Sequence, residues 1–240
     1  MNSEHLPRLT PVGERCLAVA FGDQLSVEVN LRVCEFASRV RAAGWDFITD
    51  VVPSFVAVGL HYRPEALPLR TGQTPLTALE DMVMALLAAP PAAGITGPRT
   101  VEIPVCYGGD WGPDLAELAA RAGTTPEDLV RQHTEVVGRV FMVGFAPGHP
   151  YLGLWGDAFD VPRRGTPRTR VPAGTVAVAN RQCVIYPYEL PGGWNLIGRT
   201  PLVLFDPTLA EPCLLAPGDR VRFVAIAAPE FAALQRHGHA

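Results

Sequence analysis

An arginine-rich window between Val161 and Tyr188 is the stretch of this sequence best suited to binding chemistry. It contains five arginines and no Asp or Glu, whereas the whole chain has a formal net charge of −4. These arginines are Arg163, Arg164, Arg168, Arg170 and Arg181. Arg168 and Arg170 would share one face of an extended segment, where two guanidinium groups match a carboxylate or a phosphoryl group. The alternatives are a solvated basic loop and an interface for an acidic partner.

His149 is a second candidate, because Gly and Pro residues flank it on both sides in the segment 144–153 (GFAPGHPYLG). A histidine whose backbone is fixed in this way can serve as an acid, a base or a hydrogen-bond donor. The alternative is a structural histidine bonded to a carbonyl group. No carboxylate or second histidine lies nearby in the sequence, which argues against a metal site.

The third candidate is the segment 186–201 (YPYELPGGWNLIGRTP). Its glycine pair, Gly192 and Gly193, permits positive φ and exposes backbone N–H groups. The side chains that follow offer a stacking face, an amide and a guanidinium group, and they are Trp194, Asn195 and Arg199. The alternative is a tight hairpin in which Trp194 belongs to the core. Gln182 adds a neutral polar group beside the arginine-rich window.

The sequence contains no lysine, so all 20 basic residues are arginines. A Walker A loop, a Schiff-base lysine and a biotinyl-lysine are therefore excluded on this chain. The GxSxG, HExxH and GxGxxG patterns are also absent, which leaves no support for a serine hydrolase, a zincin or a dinucleotide-binding fold.

Composition limits the class of protein further. With 240 residues, 48% of them hydrophobic, the chain can form one large or two small cores, and 24 Pro plus 23 Gly imply short elements joined by tight turns. The negative net charge argues against general nucleic-acid binding. Five widely spaced cysteines are typical of reduced cytosolic thiols. No apolar run reaches the roughly 18 residues of a membrane span, so we expect a cytoplasmic protein without membrane contact.

Apolar periodicity predicts a small α+β domain over residues 1–95. After an irregular lead-in at 1–13, it predicts a strand, a helix capped by Asp23 and ended by Gly44, two strands, and a helix opening at Thr74. Residues 88–98 form the predicted linker. Over residues 96–240 it predicts one strand, two short helices opened by turns, and then short apolar runs that indicate a β-barrel or sandwich. These runs are 139–145, 175–179, 183–186, 201–205 and 220–226. The tail from 229 onward predicts a weak helical turn.

Four ordered motifs resemble one known family. YGGDWGPDL, PGHPYLG, PRRGTPRTRVPAGTVAVA and YPYELPGGWNLIGRTPLVLFDP together are similar to the B subunit of 5-oxoprolinase, a family also called allophanate hydrolase subunit 1 or the kinase-A inhibitor family. This family is related to half of the carboxyltransferase domain of urea carboxylase. The resemblance covers most of residues 99–226 and implies an α+β N-terminal domain followed by a mainly-β cyclophilin-like barrel.

The resemblance also implies a function. The chain would be one component, inactive alone, of an ATP-dependent hydrolase that opens 5-oxoproline to glutamate, together with the homologous C subunit and the A subunit of 5-oxoprolinase. ATP would be used by the complex, and the resemblance leaves open which chain binds it. Two other functions remain possible. One is a regulatory inhibitor of a sensor histidine kinase. The other is a carboxyltransferase component of a biotin-dependent urea or amide carboxylase, with biotin on a partner.

The Gly and Pro residues that fix the backbone around His149 make that residue a catalytic candidate. Carried onto this sequence, the family's site implies catalytic roles for Arg168, Tyr186 and Arg199. It implies substrate binding by Arg163, Arg164, Gln182, Gly192, Gly193, Trp194 and Asn195, and it implies no metal. In this interpretation the arginines bind charge, the glycine N–H groups bind an oxyanion, and His149 or Tyr186 moves a proton. Two positions depart from the family pattern: His149 stands where Phe is common, and Cys183 where Thr or Ser is common. His149 is therefore also a candidate for a change of substrate.

Overall fold

A computed structural model describes residues 7–90 and 99–237 of the chain. The chain separates into two compact units, Met1–Gly97 and Pro98–Ala240, and each has its own hydrophobic core. The predicted domain boundary after residue 95 and most of the predicted linker lie outside the described residues and stay predictions. In the described ranges, no helix is both long enough and apolar enough to cross a membrane.

The first unit combines an antiparallel sheet with helices. Its strands are β1 (Arg8–Pro11), β2 (Cys16–Ala20), β3 (Ile48–Pro53) and β4 (Ala57–Tyr62), in the order β1-β2-β4-β3. Its helices are α1 (Val27–Ala43) and α2 (Pro75–Ala88), with a 3-10 turn at Pro64–Ala66. The lead-in predicted to be irregular therefore contains a strand. β1 lacks an apolar run because it is stabilised by pairing with β2 rather than by burial of its own side chains.

Local signals place three of the helix ends. Gly44 ends α1 with φ 60°, and Thr74 caps α2 with its side chain as predicted. The prediction that Asp23 caps α1 is wrong. Ser26 does so, because its hydroxyl lies 3.1 Å from the N–H of Val29, three residues into the helix.

The second unit is a closed barrel, as the short apolar runs predicted. Its strands are β5 (Thr100–Tyr107), β6 (Val137–Val143), β7 (Pro150–Gly153), β9 (Thr175–Ala179), β10 (Gln182–Ile185), β12 (Asn195–Arg199) and β13 (Arg220–Ala225). They close in the order β10-β7-β6-β13-β5-β12-β9, and β13 runs parallel to β5. The two remaining strands, β8 (Arg168–Val171) and β11 (Leu190–Gly192), form a separate antiparallel ribbon.

Helices complete this unit, and one of its segments was wrongly predicted to be a strand. Its helices are α3 (Leu115–Arg121), α4 (Pro126–Glu135) and α5 (Ala228–His237), with a 3-10 turn at Asp157–Phe159. The tail is therefore a helix rather than a weak turn, anchored by Phe231, whose ring lies 4.2 Å from Trp111. Residues 201–205 are not a strand. Only Phe205 forms a bridge, with Cys213.

The barrel wall separates two clusters of buried side chains. Along β9, Val176 and Val178 face the interior, whereas Ala177 and Ala179 face outward. On the outer face they pack with residues of β10 and of the β8–β11 ribbon. They also pack with Tyr186, which follows β10, and Trp194, which follows β11. We call this the outer-face cluster, and the candidate site lies around it.

Candidate functional site

Asp114, which precedes α3, joins three segments of the second unit. Its carboxylate is 5% exposed, and its Oδ1 accepts hydrogen bonds from Arg164 Nη1 at 3.1 Å and Arg168 Nη2 at 2.7 Å. Its Oδ2 accepts one from the backbone N–H of Leu196 at 2.7 Å. The sequence analysis missed this residue, although it lies in the YGGDWGPDL motif. Asp114 supplies part of the negative charge that the arginine-rich window lacks.

The predicted pairing of Arg168 with Arg170 on one ligand is not formed. Arg170 is exposed and binds Glu189 at 2.8 and 3.0 Å, whereas Arg168 binds Asp114. Two carboxylates from outside the window separate the pair, and residue spacing alone could not reveal them. Arg168 keeps one further nitrogen, Nη1, that is buried and has no hydrogen-bond partner among the described residues.

His149 is fully buried, and neither of its ring nitrogens has a hydrogen-bond partner in the described part of the chain. Its ring centroid lies 5.0 Å from that of Tyr151 and 5.2 Å from that of Tyr186. Burial, which disfavours the charged form, lowers the pKa of His149 to about 4; an interaction with the residue's own backbone opposes this shift, and the charge of Arg163 adds to it. The imidazole is therefore neutral at pH 7. The alternative of a carbonyl-bonded structural histidine is not observed.

The loop that carries His149 is strained and partly exposed. Phe145 has φ 72°, which is unfavourable for a bulky L-residue, and it is 66% exposed while its ring stands edge-on to His149 at 5.4 Å. Gly148 also has φ 72°, and a Cβ there would lie 2.6 Å from Phe205. Such strain is often found at functional sites.

Tyr186 packs directly against Gly192. A Cβ on Gly192 would lie 2.0 Å from the Tyr186 hydroxyl oxygen, so only glycine permits this contact. The positive φ that a glycine pair permits is adopted by neither Gly192 nor Gly193. Burial raises the pKa of Tyr186 to about 12, with Tyr151 adding to the effect and the charges of Arg163 and Arg168 opposing it. The phenol therefore keeps its proton at neutral pH and can donate it to a hydrogen bond.

Trp194 is 5% exposed and belongs to the outer-face cluster, which supports its interpretation as a core residue. The guanidinium group of Arg163 lies over its ring, 4.8 Å from the centroid. Asn195 donates its amide hydrogens to the carbonyls of Pro162 and Val178 at 3.0 and 3.1 Å. Asn195 thus anchors the start of the arginine-rich window.

Two predicted site residues have other surroundings. Arg199 donates from Nε to the carbonyl of Ala173 at 2.6 Å, its guanidinium lies 5.9 Å from the Trp111 ring, and burial lowers its pKa. Gln182 begins β10 and is paired with Gly153, four residues or about 13 Å of strand from Tyr186. Their predicted roles stay predictions. The structure brings together His149, Arg163, Arg168, Tyr186, Gly192 and Trp194.

A groove of about 390 Å³ lies beside this group, between the start of the window and α3. It is lined by Arg121, Arg163 and Arg164, and also by Glu117, which binds Arg121 at 2.7 Å and Arg164 at 3.6 Å. Among the described residues, no group of three or more His, Cys, Asp or Glu side chains could hold a metal ion.

Comparison with solved structures supports the fold. The crystal structure of TTHA0988 superposes with a TM-score of 0.77 at 37% identity, over 90% of this chain and 40% of that chain. This chain therefore spans about two fifths of that protein's length. The crystal structure of Kluyveromyces lactis urea carboxylase superposes with a TM-score of 0.70 over 97% of this chain and 23% of that one, at 16% identity, a likeness of fold alone.

Sequence comparison identifies the family. The family described as carboxyltransferase domain, subdomain C and D, matches residues 7–215. The 5-oxoprolinase B subunit of Bacillus subtilis (strain 168) is 34% identical over 235 residues, covering 97% of this chain and 98% of that protein. The 5-oxoprolinase B subunit of Haemophilus influenzae is 35% identical over 216 residues, covering 90% and 96%. The chain therefore belongs to the family of 5-oxoprolinase B subunits, within the carboxyltransferase-domain family of subdomains C and D.

Proposed function

We propose that this chain is one component of an ATP-dependent 5-oxoprolinase, which opens 5-oxoproline to glutamate together with the A and C subunits as partners. The similarity to 5-oxoprolinase B subunits over 97% of the chain carries this proposal. The buried polar group around His149 supports it, because the most specific sequence motifs fold into that group. The chain acts as part of a hetero-oligomer and is inactive alone.

The buried groups suit the opening of a cyclic amide. Neutral His149 can accept a proton, and protonated Tyr186 can donate a hydrogen bond to the group that gains negative charge. The free Nη1 of Arg168 can bind developing negative charge or a substrate carboxylate. These interactions gain strength because burial excludes the water that would screen them.

The described residues do not fit a triphosphate site on this chain. Arg164 and Arg170 are bound to carboxylates of the chain itself, Arg168 has a single free nitrogen, and the groove beside Arg164 contains the carboxylate of Glu117, which would repel a phosphate. We therefore propose that ATP binds to a partner protein of the complex, and no step on this chain involves it.

The test is reconstitution with the proteins encoded beside this chain. The three proteins are co-expressed and purified, and ATP-dependent conversion of 5-oxoproline to glutamate is measured with each protein omitted in turn. We expect activity in the full complex and none without this chain. Adding back the purified chain should restore the activity.

Two results would contradict the proposal. Partner proteins that turn over 5-oxoproline equally well without this chain would remove it from the enzyme. A correctly assembled complex that is inactive on 5-oxoproline but opens another cyclic amide would change the substrate and keep the reaction.

A further inference from the structure

The free Nη1 nitrogen of Arg168 requires an explanation. It is buried, it belongs to a charged group, and it has no hydrogen-bond partner among the described residues. Leaving a buried charged donor unsatisfied is costly, so native proteins rarely do it without a functional reason. A ligand oxygen in the completed site would satisfy it.

The orientation of this nitrogen is set by Asp114. The carboxylate binds Arg168 Nη2 at 2.7 Å through Oδ1, and its other oxygen is held by the Leu196 N–H. Because a guanidinium group is planar and rigid, fixing Nη2 also fixes the direction of Nη1. Asp114 is itself nearly inaccessible to solvent, so this arrangement has little freedom.

The strand register brings Arg168 towards Tyr186, which in turn lies beside His149. Arg168 on β8 is paired with Gly192 on β11, and Gly192 is the residue in closest approach to the Tyr186 hydroxyl. The ring of His149, with two unpartnered nitrogens, stands edge-on to that of Tyr186 with 5.2 Å between the centroids. One small ligand can therefore meet a guanidinium donor, a phenol and a neutral imidazole.

We propose that Asp114 is a positioning residue that fixes Arg168 so that Nη1 binds a carboxylate oxygen of a small substrate beside Tyr186 and His149. The ligand class is a compact carboxylate that also carries an amide or another hydrogen-bonding group for the imidazole and phenol. Its identification as 5-oxoproline rests on the proposed function. Asp114 touches no reacting atom and acts through Arg168.

The alternative role for Asp114 is to neutralise two arginines and hold the fold together. The two roles predict different effects of Arg168→Lys on ligand binding. Lysine keeps the positive charge and can keep the ion pair with Asp114, but it has no second nitrogen in a fixed plane to offer a ligand. The matched control is Arg170→Lys, a change of the same kind two residues along the same strand, at an exposed pair with Glu189.

The experiment uses the full complex without ATP and measures its thermal stabilisation by 5-oxoproline and, separately, by acetate. We expect Arg168→Lys and Asp114→Asn to weaken binding of both probes at least tenfold, and Arg170→Lys to bind as the wild type does. In turnover assays, Asp114→Asn should raise KM at least tenfold with a smaller change in kcat. Arg168→Lys keeps the test valid if Asp114→Asn fails to fold.

Two results would overturn the proposal. One is Arg168→Lys binding both probes with wild-type affinity, and the other is a wild-type complex that neither probe stabilises. Acetate separates this proposal from the proposed function, because it tests the carboxylate site alone. A complex that acetate stabilises through Arg168, and that 5-oxoproline does not stabilise, would support the carboxylate site and reject 5-oxoproline as its substrate.

Discussion

Two buried histidines, one inside the barrel and one on its outer face, are alike in burial and different in their partners. His133 on α4 lies in the barrel core, where its Nδ1 is 2.8 Å from the Tyr107 hydroxyl and its ring stacks on Trp155 at 5.0 Å. Its Nε2 has no hydrogen-bond partner among the described residues. His149 has no hydrogen-bond partner for either nitrogen within the described ranges, and it lies beside the exposed, strained Phe145. Both are fully inaccessible to solvent.

Burial lowers the pKa of both side chains, to about 3 for His133 and about 4 for His149. A lowered pKa therefore does not distinguish a structural histidine from a functional one in this protein. The hydrogen-bond partners and the surrounding backbone do. A histidine with one nitrogen already bonded inside an aromatic core contributes to stability, whereas one with both nitrogens unpartnered beside a strained loop is available to a ligand.

Replacing His149 by Phe should have the largest effect. We expect turnover by the complex to fall about 100-fold, because a residue that moves a proton typically contributes at least that much. The free energy of unfolding should rise or stay unchanged, because two unsatisfied polar atoms leave the interior. Steady-state kinetics and urea unfolding check both effects. Wild-type turnover in this variant would show that His149 moves no proton in the reaction, and the two histidines would then not differ in function.

Replacing His133 by Phe should do the opposite. The Tyr107 hydroxyl loses its partner inside the barrel, so we expect a loss of about 1–3 kcal/mol in the free energy of unfolding and little change in turnover. Adding Tyr107→Phe removes the orphaned hydroxyl and should recover much of the loss. A His133→Phe variant that unfolds at the wild-type urea concentration would show that the Tyr107 bond is unimportant.

The dependence of the free energy of unfolding on pH should give the smallest effect. It should also separate the two histidines most clearly, because their pKa values in the folded protein differ. Because both folded-state pKa values lie below the ordinary value of 6.5, the unfolded chain binds protons first as the pH falls. This contribution to stability is complete above pH 6.5 and is lost as the pH falls through about 4 for His149 and about 3 for His133.

Between pH 6 and 5, each histidine should contribute roughly 1.4 kcal/mol per pH unit to this slope. Urea unfolding of His149→Phe at several pH values should show the slope reduced by one histidine's share. An unchanged slope would mean that His149 already binds a proton in the folded protein near pH 6.

Local signals in the sequence were sufficient for much of the fold. Gly44 and Thr74 place helix ends because capping depends on neighbouring backbone groups. Ser26 was missed because Asp23 is an equally good cap by type. The barrel-unit strands β7, β8, β11 and β12 were missed because each is at most five residues long, and Gly and Pro residues within or beside them resemble turns.

The candidate site was predictable in part. His149, Arg163, Tyr186 and Trp194 lie within one 46-residue stretch, and β7, β10 and the ribbon bring them together. Asp114 could not be found in this way, because its partners Arg164 and Arg168 lie 50 and 54 residues later and meet it only in the folded unit. Gly192 was singled out for its backbone freedom, and its substrate-binding role stays a prediction. Its structural role is to admit the Tyr186 hydroxyl, a contact that backbone preferences do not encode.

The parallel pairing of β5 with β13 sets the order in which this unit can be completed during synthesis. Arg99, at the start of β5, binds Asp219, 120 residues later. At typical translation rates the ribosome needs roughly ten seconds to make that length of chain. Until then β5 and β6 each present an unpaired edge, which is the surface that aggregation and chaperones recognise. A chain shortened before Arg220 lacks β13, so the edges of β5 and β6 stay unpaired and the barrel cannot close.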